Sequence, residues 1–164
     1  ELTAFIDQTI YTQVAAIQGQ ISERGRNPRL VNRLAVLYAR YGLYDRARAE
    51  LQQLRMEFPD YAPAVANLGD IEYQEGNLEQ AADYYESALN LEPDDPAVLL
   101  SLARVNHQME NYGTATKSYD RVKELDPTLA GRFAYLGLQG DDAARAAEAG
   151  GTANQLLWVE EEEE

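Results

Sequence analysis

Leu34, Leu68, Leu102 and Leu136 stand at a fixed interval of 34 residues. Ala47, Ala81 and Ala115 keep the same interval, and so do Pro59, Pro93 and Pro127. A period in this range means a stack of similar supersecondary units, each too small to bury its apolar face alone. Residues 62–95 are the most regular stretch and set the register for the rest.

Within each period the apolar spacing is helical. In residues 28–61, Val31, Leu34, Ala35 and Tyr38 share one face of a first helix, and Gly42 makes a turn. Tyr44, Ala47, Leu51 and Leu54 share one face of a second helix, which Pro59 stops. Residues 62–95 repeat this with Val65, Leu68 and Gly69, then Gly76-Asn77, then Leu78, Ala81, Tyr85 and Ala88, closing at Pro93. Residues 96–129 follow with Leu99, Leu102 and Ala103, then Tyr112, Ala115, Tyr119 and Val122, closing at Pro127. The third turn carries Glu110-Asn111, so Asn111 is expected to take the left-handed conformation. The prolines all fall at unit boundaries, as they must if the segments between are helices.

Small residues recur where helices must approach closely. Ala35, Gly69, Ala103 and Gly137 do so on the first helix, and Ala47, Ala81 and Ala115 on the second. A larger side chain at either place would push the helices apart. Tyr85 and Tyr119 fill the remaining volume.

The ends depart from the register. Residues 2–23 read as one amphipathic helix, with Leu2, Ile6, Ile10, Val14, Ile17 and Ile21 on one face. It is either a cap over the first unit or an oligomerisation helix, since its spacing is close to a heptad. A fourth unit starts at 130 and keeps Phe133, Leu136 and Gly137. Its first helix is expected to be one turn short, and DAARAAEA over 142–149 gives a small second helix ended by Gly150-Gly151. Residues 152–164 end in an apolar plug, Leu156 to Val159, and five Glu, a run expected to be solvated and flexible.

Charge narrows the function. The net charge is −14, but residues 1–60 carry +1 and residues 61–164 carry −15. So acidic a chain is a poor match for nucleic acid. There is no Cys and a single His, His107, so neither disulfide chemistry nor a Cys/His metal site is expected. Neither a phosphate-binding Gly loop nor a nucleophile–base motif can be read. No apolar run is long enough to cross a bilayer. The start at Glu-Leu-Thr reads as a processed chain or an excised fragment, and it leaves the compartment open.

Residues 62–95 resemble the tetratricopeptide repeat in Asn67-Leu68-Gly69, Tyr73, Gly76-Asn77, Ala81, Tyr84-Tyr85, Ala88-Leu89 and Glu92-Pro93. The resemblance covers 28–129 fully and 130–149 in part. It implies an all-α fold: a right-handed α-solenoid of antiparallel helix pairs with a concave groove lined by the first helix of each pair. Residues 1–27 would be a separate N-terminal helix. Residues 28–149 would be the repeat domain, with units 28–61, 62–95, 96–129 and a degenerate 130–149. Residues 150–164 would be a tail. Such modules are generally non-catalytic protein-binding scaffolds, without cofactors.

Carried across by position, the groove would present Arg29, Asn32, Arg33, Val36 and Arg40 from the first unit. The second unit would add Asn67, Asp70 and Tyr73, and the third Leu100, Arg104 and His107. Arg29, Arg33 and Arg40 form one stripe, suited to a partner carboxylate because guanidinium binds it as a fork. The terminal-carboxylate clamp of chaperone-binding members maps to Asn32, Val36, Asn67, Ala97 and Ser101, and only Asn67 agrees. Glu72 and Asn106 replace the aromatic of Tyr38 and are expected to be more exposed or to face a partner. Three functions are compatible with this pattern. The first is a scaffold that binds a peptide or partner segment in the groove, an acidic one being compatible with the Arg stripe. The second is a self-assembly module using the N-terminal helix or the tail, which could also fold back into its own groove as an autoinhibitor. The third is a regulatory domain of a larger protein.

Overall fold

The computed structural model describes residues 2–151 and 155–161, the side chains of residues 2–7 excepted. Among these residues the regular structure is all helical, with no strand. Helix α1 (Leu2–Arg24) precedes three pairs: α2 (Pro28–Arg40) with α3 (Tyr44–Glu57), α4 (Ala62–Gln74) with α5 (Leu78–Leu91), and α6 (Pro96–Gln108) with α7 (Tyr112–Leu125). A short α8 (Pro127–Arg132), a 3-10 turn (Ala134–Gly137) and α9 (Gly140–Gly150) close the stack. Each helix packs on the next, and the first helices α2, α4 and α6 stand side by side. This is an α-solenoid.

Local chemistry sets the boundaries. Pro28, Pro63 and Pro96 sit in first helical turns, where their missing N–H would be unpaired anyway. Asn27 and Asp95 cap α2 and α6, their side chains accepting from Arg29 N and from Ala97 N and Val98 N. Gly42 and Gly76 turn the chain at positive φ, and the residue in their register in the third unit is Glu110, at φ 61°. Asn111 keeps φ −82°. The left-handed residue is therefore Glu110 and not Asn111, because the turn is fixed by its distance from the helix ends.

Three apolar clusters run along the stack. The first joins Ile17 of α1 to Leu34 and Ala35, Ala47, Leu51 and Leu54, and on to Ala64, Leu68 and Ile71. Val14 and Ile21 pack on it too, so the apolar face of α1 covers the open end of the first pair. The second cluster gathers Val65, Ala81, Tyr85, Ala88, Val98 and Leu102. The third gathers Leu100, Ala103, Tyr119, Val122, Phe133 and Leu136; Ala115 is buried as well. Each cluster spans neighbouring pairs, so no pair could keep its core alone. At Gly69 an added Cβ would lie 2.7 Å from Cε1 of Tyr85 and 3.2 Å from Cβ of Tyr84. The Tyr85 ring passes over this gap, and its hydroxyl donates to Oδ1 of Asp70 at 2.7 Å.

Two expectations are corrected here. The first helix of the fourth unit is broken, not merely shortened. It begins early at Pro127, with Asp126 capping Leu129 N at 2.8 Å. It ends when Ala130 O accepts from Phe133 N at 3.0 Å and from the Tyr119 hydroxyl at 2.9 Å. Glu72 and Asn106 are buried, at 6 % and 5 % exposure. Glu72 pairs with Arg48 across the α3–α4 contact and accepts from Asn77 at 2.8 Å. Asn106 donates to Leu102 O at 3.0 Å. Both polar groups are satisfied by neighbours, so burial costs little.

Candidate functional site

The groove side of α2, α4 and α6 is covered by residues 155–161, which form neither helix nor strand and are drawn out from Arg132 of the fourth unit to Arg29 of the first. The segment enters beside the fourth unit and leaves beside the first, opposite to the order of the units. At its start the Gln155 carbonyl accepts from Arg104, and Oε1 of Gln155 accepts from Arg132 at 2.9 Å. Arg104 is itself buried, its guanidinium carbon 5.2 Å from the Tyr73 ring centroid and 5.4 Å from that of Phe133. Two aromatic faces thus hold this cation in place beneath the segment.

Apolar side chains follow. Leu157 packs on the third cluster, Trp158 on the first and Val159 on the second. The backbone of Val159 is read by two amides. Asn67 accepts from Val159 N at 2.8 Å and donates to Val159 O at 2.9 Å, as a neighbouring strand would. Asn32 donates to the same carbonyl at 2.8 Å, and its Oδ1 accepts from Asn67 at 2.8 Å. Asn32 and Asn67 are 1 % and 0 % exposed, so leaving these amides unpaired would cost about 1–3 kcal/mol each.

The acidic end meets the arginines. Glu160 pairs with Arg40 at 2.5 Å, and Glu161 with Arg29 at 2.8 Å. The Tyr61 hydroxyl donates to Glu161 at 3.2 Å. Burial, with the neighbouring Glu161 charge, raises the Tyr61 hydroxyl well above its usual range, so it stays a donor. Arg33 lines a cleft of about 330 Å³ beside Gln13, Gln20, Leu37, Arg40 and Glu160, where the segment leaves the groove.

The structure thus brings Arg29, Asn32, Arg40, Asn67 and Arg104 onto one extended segment. Val36, Asp70 and Leu100, also expected to line the groove, are buried with the tail in place, at 1 %, 2 % and 0 % exposure, as Asn32 and Asn67 are. Asp70 is held by Tyr85, and burial pushes its carboxyl up to about 7 against the opposing pull of that hydrogen bond and of Arg104. Tyr73 accepts from Gln108 at 2.5 Å. His107 faces the joint between the third and fourth units, with Nε2 3.0 Å from Leu138 O and its ring edge-on to Tyr112 and Tyr135. Of the acidic run, Glu160 and Glu161 are ion-paired, Glu161 remaining exposed, while Glu162 to Glu164 lie outside the described residues. Among the described residues, no group of three or more His, Cys, Asp and Glu side chains could hold a metal ion, and no helix is long and apolar enough to cross a membrane.

Tyr61 and Arg132 also hold the segment and were missed by sequence reasoning. Tyr61 lies in the linker before α4, outside the first-helix positions that define a groove. Arg132 lies where the fourth unit has lost its register. The proximity of Tyr61 to the start of α4 was the one available signal.

Comparison with known proteins bears on this arrangement. Models described as tetratricopeptide repeat match residues 10–69 and 96–129, and one described as TPR repeat matches residues 69–110. The matched span opens within α1, ahead of Pro28. Among curated proteins, the chain is similar to a "Protein CTR9 homolog" of Arabidopsis thaliana, with 29 % identity over 89 residues, 52 % of this chain. It is also similar to a "Probable biofilm formation methyltransferase WspC" of Pseudomonas putida, with 37 % identity over 65 residues, 40 % of this chain. The chain spans 8 % and 15 % of the lengths of these relatives. Among solved structures, a crystal structure of MamA superposes with TM-score 0.66 and 18 % identity, over 93 % of this chain and 85 % of that one. MamA from Desulfovibrio magneticus RS-1 gives TM-score 0.66 and 15 % identity, over 93 % and 88 %. At these identities the likeness is one of fold.

Proposed function

The chain belongs to the tetratricopeptide repeat family, and from that premise we propose that it is a non-catalytic interaction module. Its concave groove receives an extended segment of a partner protein, and its own residues 155–161 hold that groove until a partner displaces them. The observation that carries this reading is the pairing of the Val159 backbone with the buried amides of Asn67 and Asn32. Those amides make contacts that any extended backbone could make, so the occupant is exchangeable in principle. The arginines at the exit favour an acidic partner.

A tethered occupant has a local concentration on the order of mM, so it suppresses a free competitor strongly. The test compares the full-length wild type with the full-length Glu160→Lys/Glu161→Lys variant. Each is titrated into a fluorescein-labelled peptide of residues 155–164, read by anisotropy. The variant is expected to bind at least about tenfold more tightly. Equal affinities would contradict gating by the tail. No binding to a variant with a wild-type helical spectrum would contradict the groove itself.

The N-terminal helix supports assembly through its heptad face less well. Val14, Ile17 and Ile21 are engaged by the first pair, which favours a capping role for α1.

A further inference from the structure

We infer that the partner is an internal, extended segment bearing in order an aliphatic residue, an aromatic, a β-branched residue and two acids. This rests on the proposed groove function and specifies what the groove reads. In extended chain, alternate side chains face opposite ways. Leu157 packs on the third cluster, built from α6, α7 and the fourth unit, and Val159 on the second, built from α4, α5 and α6. Trp158 packs instead on the first cluster, which runs from α1 to α4, and Glu160 meets Arg40 of α2. The groove therefore asks for different side chains at successive positions.

Direction is fixed as well as composition. Arg104 waits for a carbonyl at the entry, Asn67 for one residue's N–H and C=O together, and Arg40 and Arg29 for acids one and two positions later. The reversed segment would place its acids where Leu157 and Trp158 pack and leave Arg40 and Arg29 facing apolar side chains. Because Asn67 accepts the N–H of the β-branched residue, proline is excluded there. The segment is also internal. No Lys or Arg stands at Asn32, Val36, Asn67, Ala97 or Ser101 to receive a terminal carboxylate, and this chain continues beyond Glu161.

The test uses the full-length Glu160→Lys/Glu161→Lys chain and labelled peptides of residues 155–164 with both ends blocked. The parent peptide is expected to bind. The same residues in reverse order, and the parent N-methylated at its valine, are each expected to lose about tenfold. A free C-terminal carboxylate is expected to change nothing. Equal binding of the reversed peptide, or a marked gain from the free carboxylate, would overturn this inference while leaving the groove function standing. Failure of every peptide would overturn the groove function beneath it. Should the variant lose its helical spectrum, the wild-type chain serves instead. Trp158 is the sole tryptophan, so peptides with phenylalanine in the aromatic position report displacement through its emission. The parent order is then expected to shift that emission at a concentration about tenfold below the reversed order, and equal potency would overturn the inference.

Discussion

At the scale of single residues, the repeat is held by a few positions with little freedom. Gly69 has no room for a Cβ, with Tyr85 at 2.7 Å. Gly69→Ala should cost about 1–3 kcal/mol in urea unfolding, whereas at Gly137, where the nearest atom would be 3.7 Å away, the same change should cost little. Glu110 holds the left-handed turn that Gly42 and Gly76 hold elsewhere, so Glu110→Gly should stabilise the chain by about 1 kcal/mol; an unchanged midpoint would show that the strain is relieved locally. Asp70 titrates at about 7 when folded, against a usual 3.8, because burial disfavours its charge. The folded state therefore holds this proton more tightly than the unfolded one. The contribution is fully present below about pH 4 and is lost from there up to about pH 7, on the order of a few kcal/mol. Asp70→Asn keeps an acceptor for Tyr85 and should flatten stability between about pH 4 and about pH 7; an undiminished slope would assign it to other groups.

At the scale of elements, what the sequence makes legible depends on register. The three helix pairs, their turns and their closing prolines could be read because Leu34, Leu68 and Leu102 count off the same interval. The broken first helix of the fourth unit could not be read. Its end depends on the Tyr119 hydroxyl reaching Ala130 O, a contact between elements that no local pattern announces. The same limit applies to Glu72 and Asn106, whose polarity suggests exposure until Arg48, Asn77 and Leu102 are seen to satisfy them. Of the groove positions, Asn32 and Asn67 were identifiable by register, but the segment they hold lies 127 and 92 residues away. As an element, that segment depends on backbone pairing at Val159. Val159→Pro removes the N–H that Asn67 accepts and should raise protease cleavage within residues 152–161 severalfold, with the helices left intact; unchanged cleavage would mean that side-chain packing alone retains the segment.

At the scale of the whole molecule, the uneven charge acquires a structural meaning. The first third is the only part with a positive balance, and the acidic end of the chain lies across it. The solenoid is thereby closed along its groove by its own tail, with Leu157, Trp158 and Val159 each capping a different core cluster. A partner would have to replace both the ion pairs and this apolar cover, so displacement should be steep in its sequence and sensitive to salt. Trp158 is half-buried in this arrangement and is the chain's single tryptophan. Its emission spectrum in the full-length Arg29→Glu/Arg40→Glu variant is the most direct measurement. Release of the tail predicts a red shift toward solvent-exposed tryptophan with the helical spectrum unchanged, and an emission maximum identical to wild type would contradict a tail held in the groove by these charges.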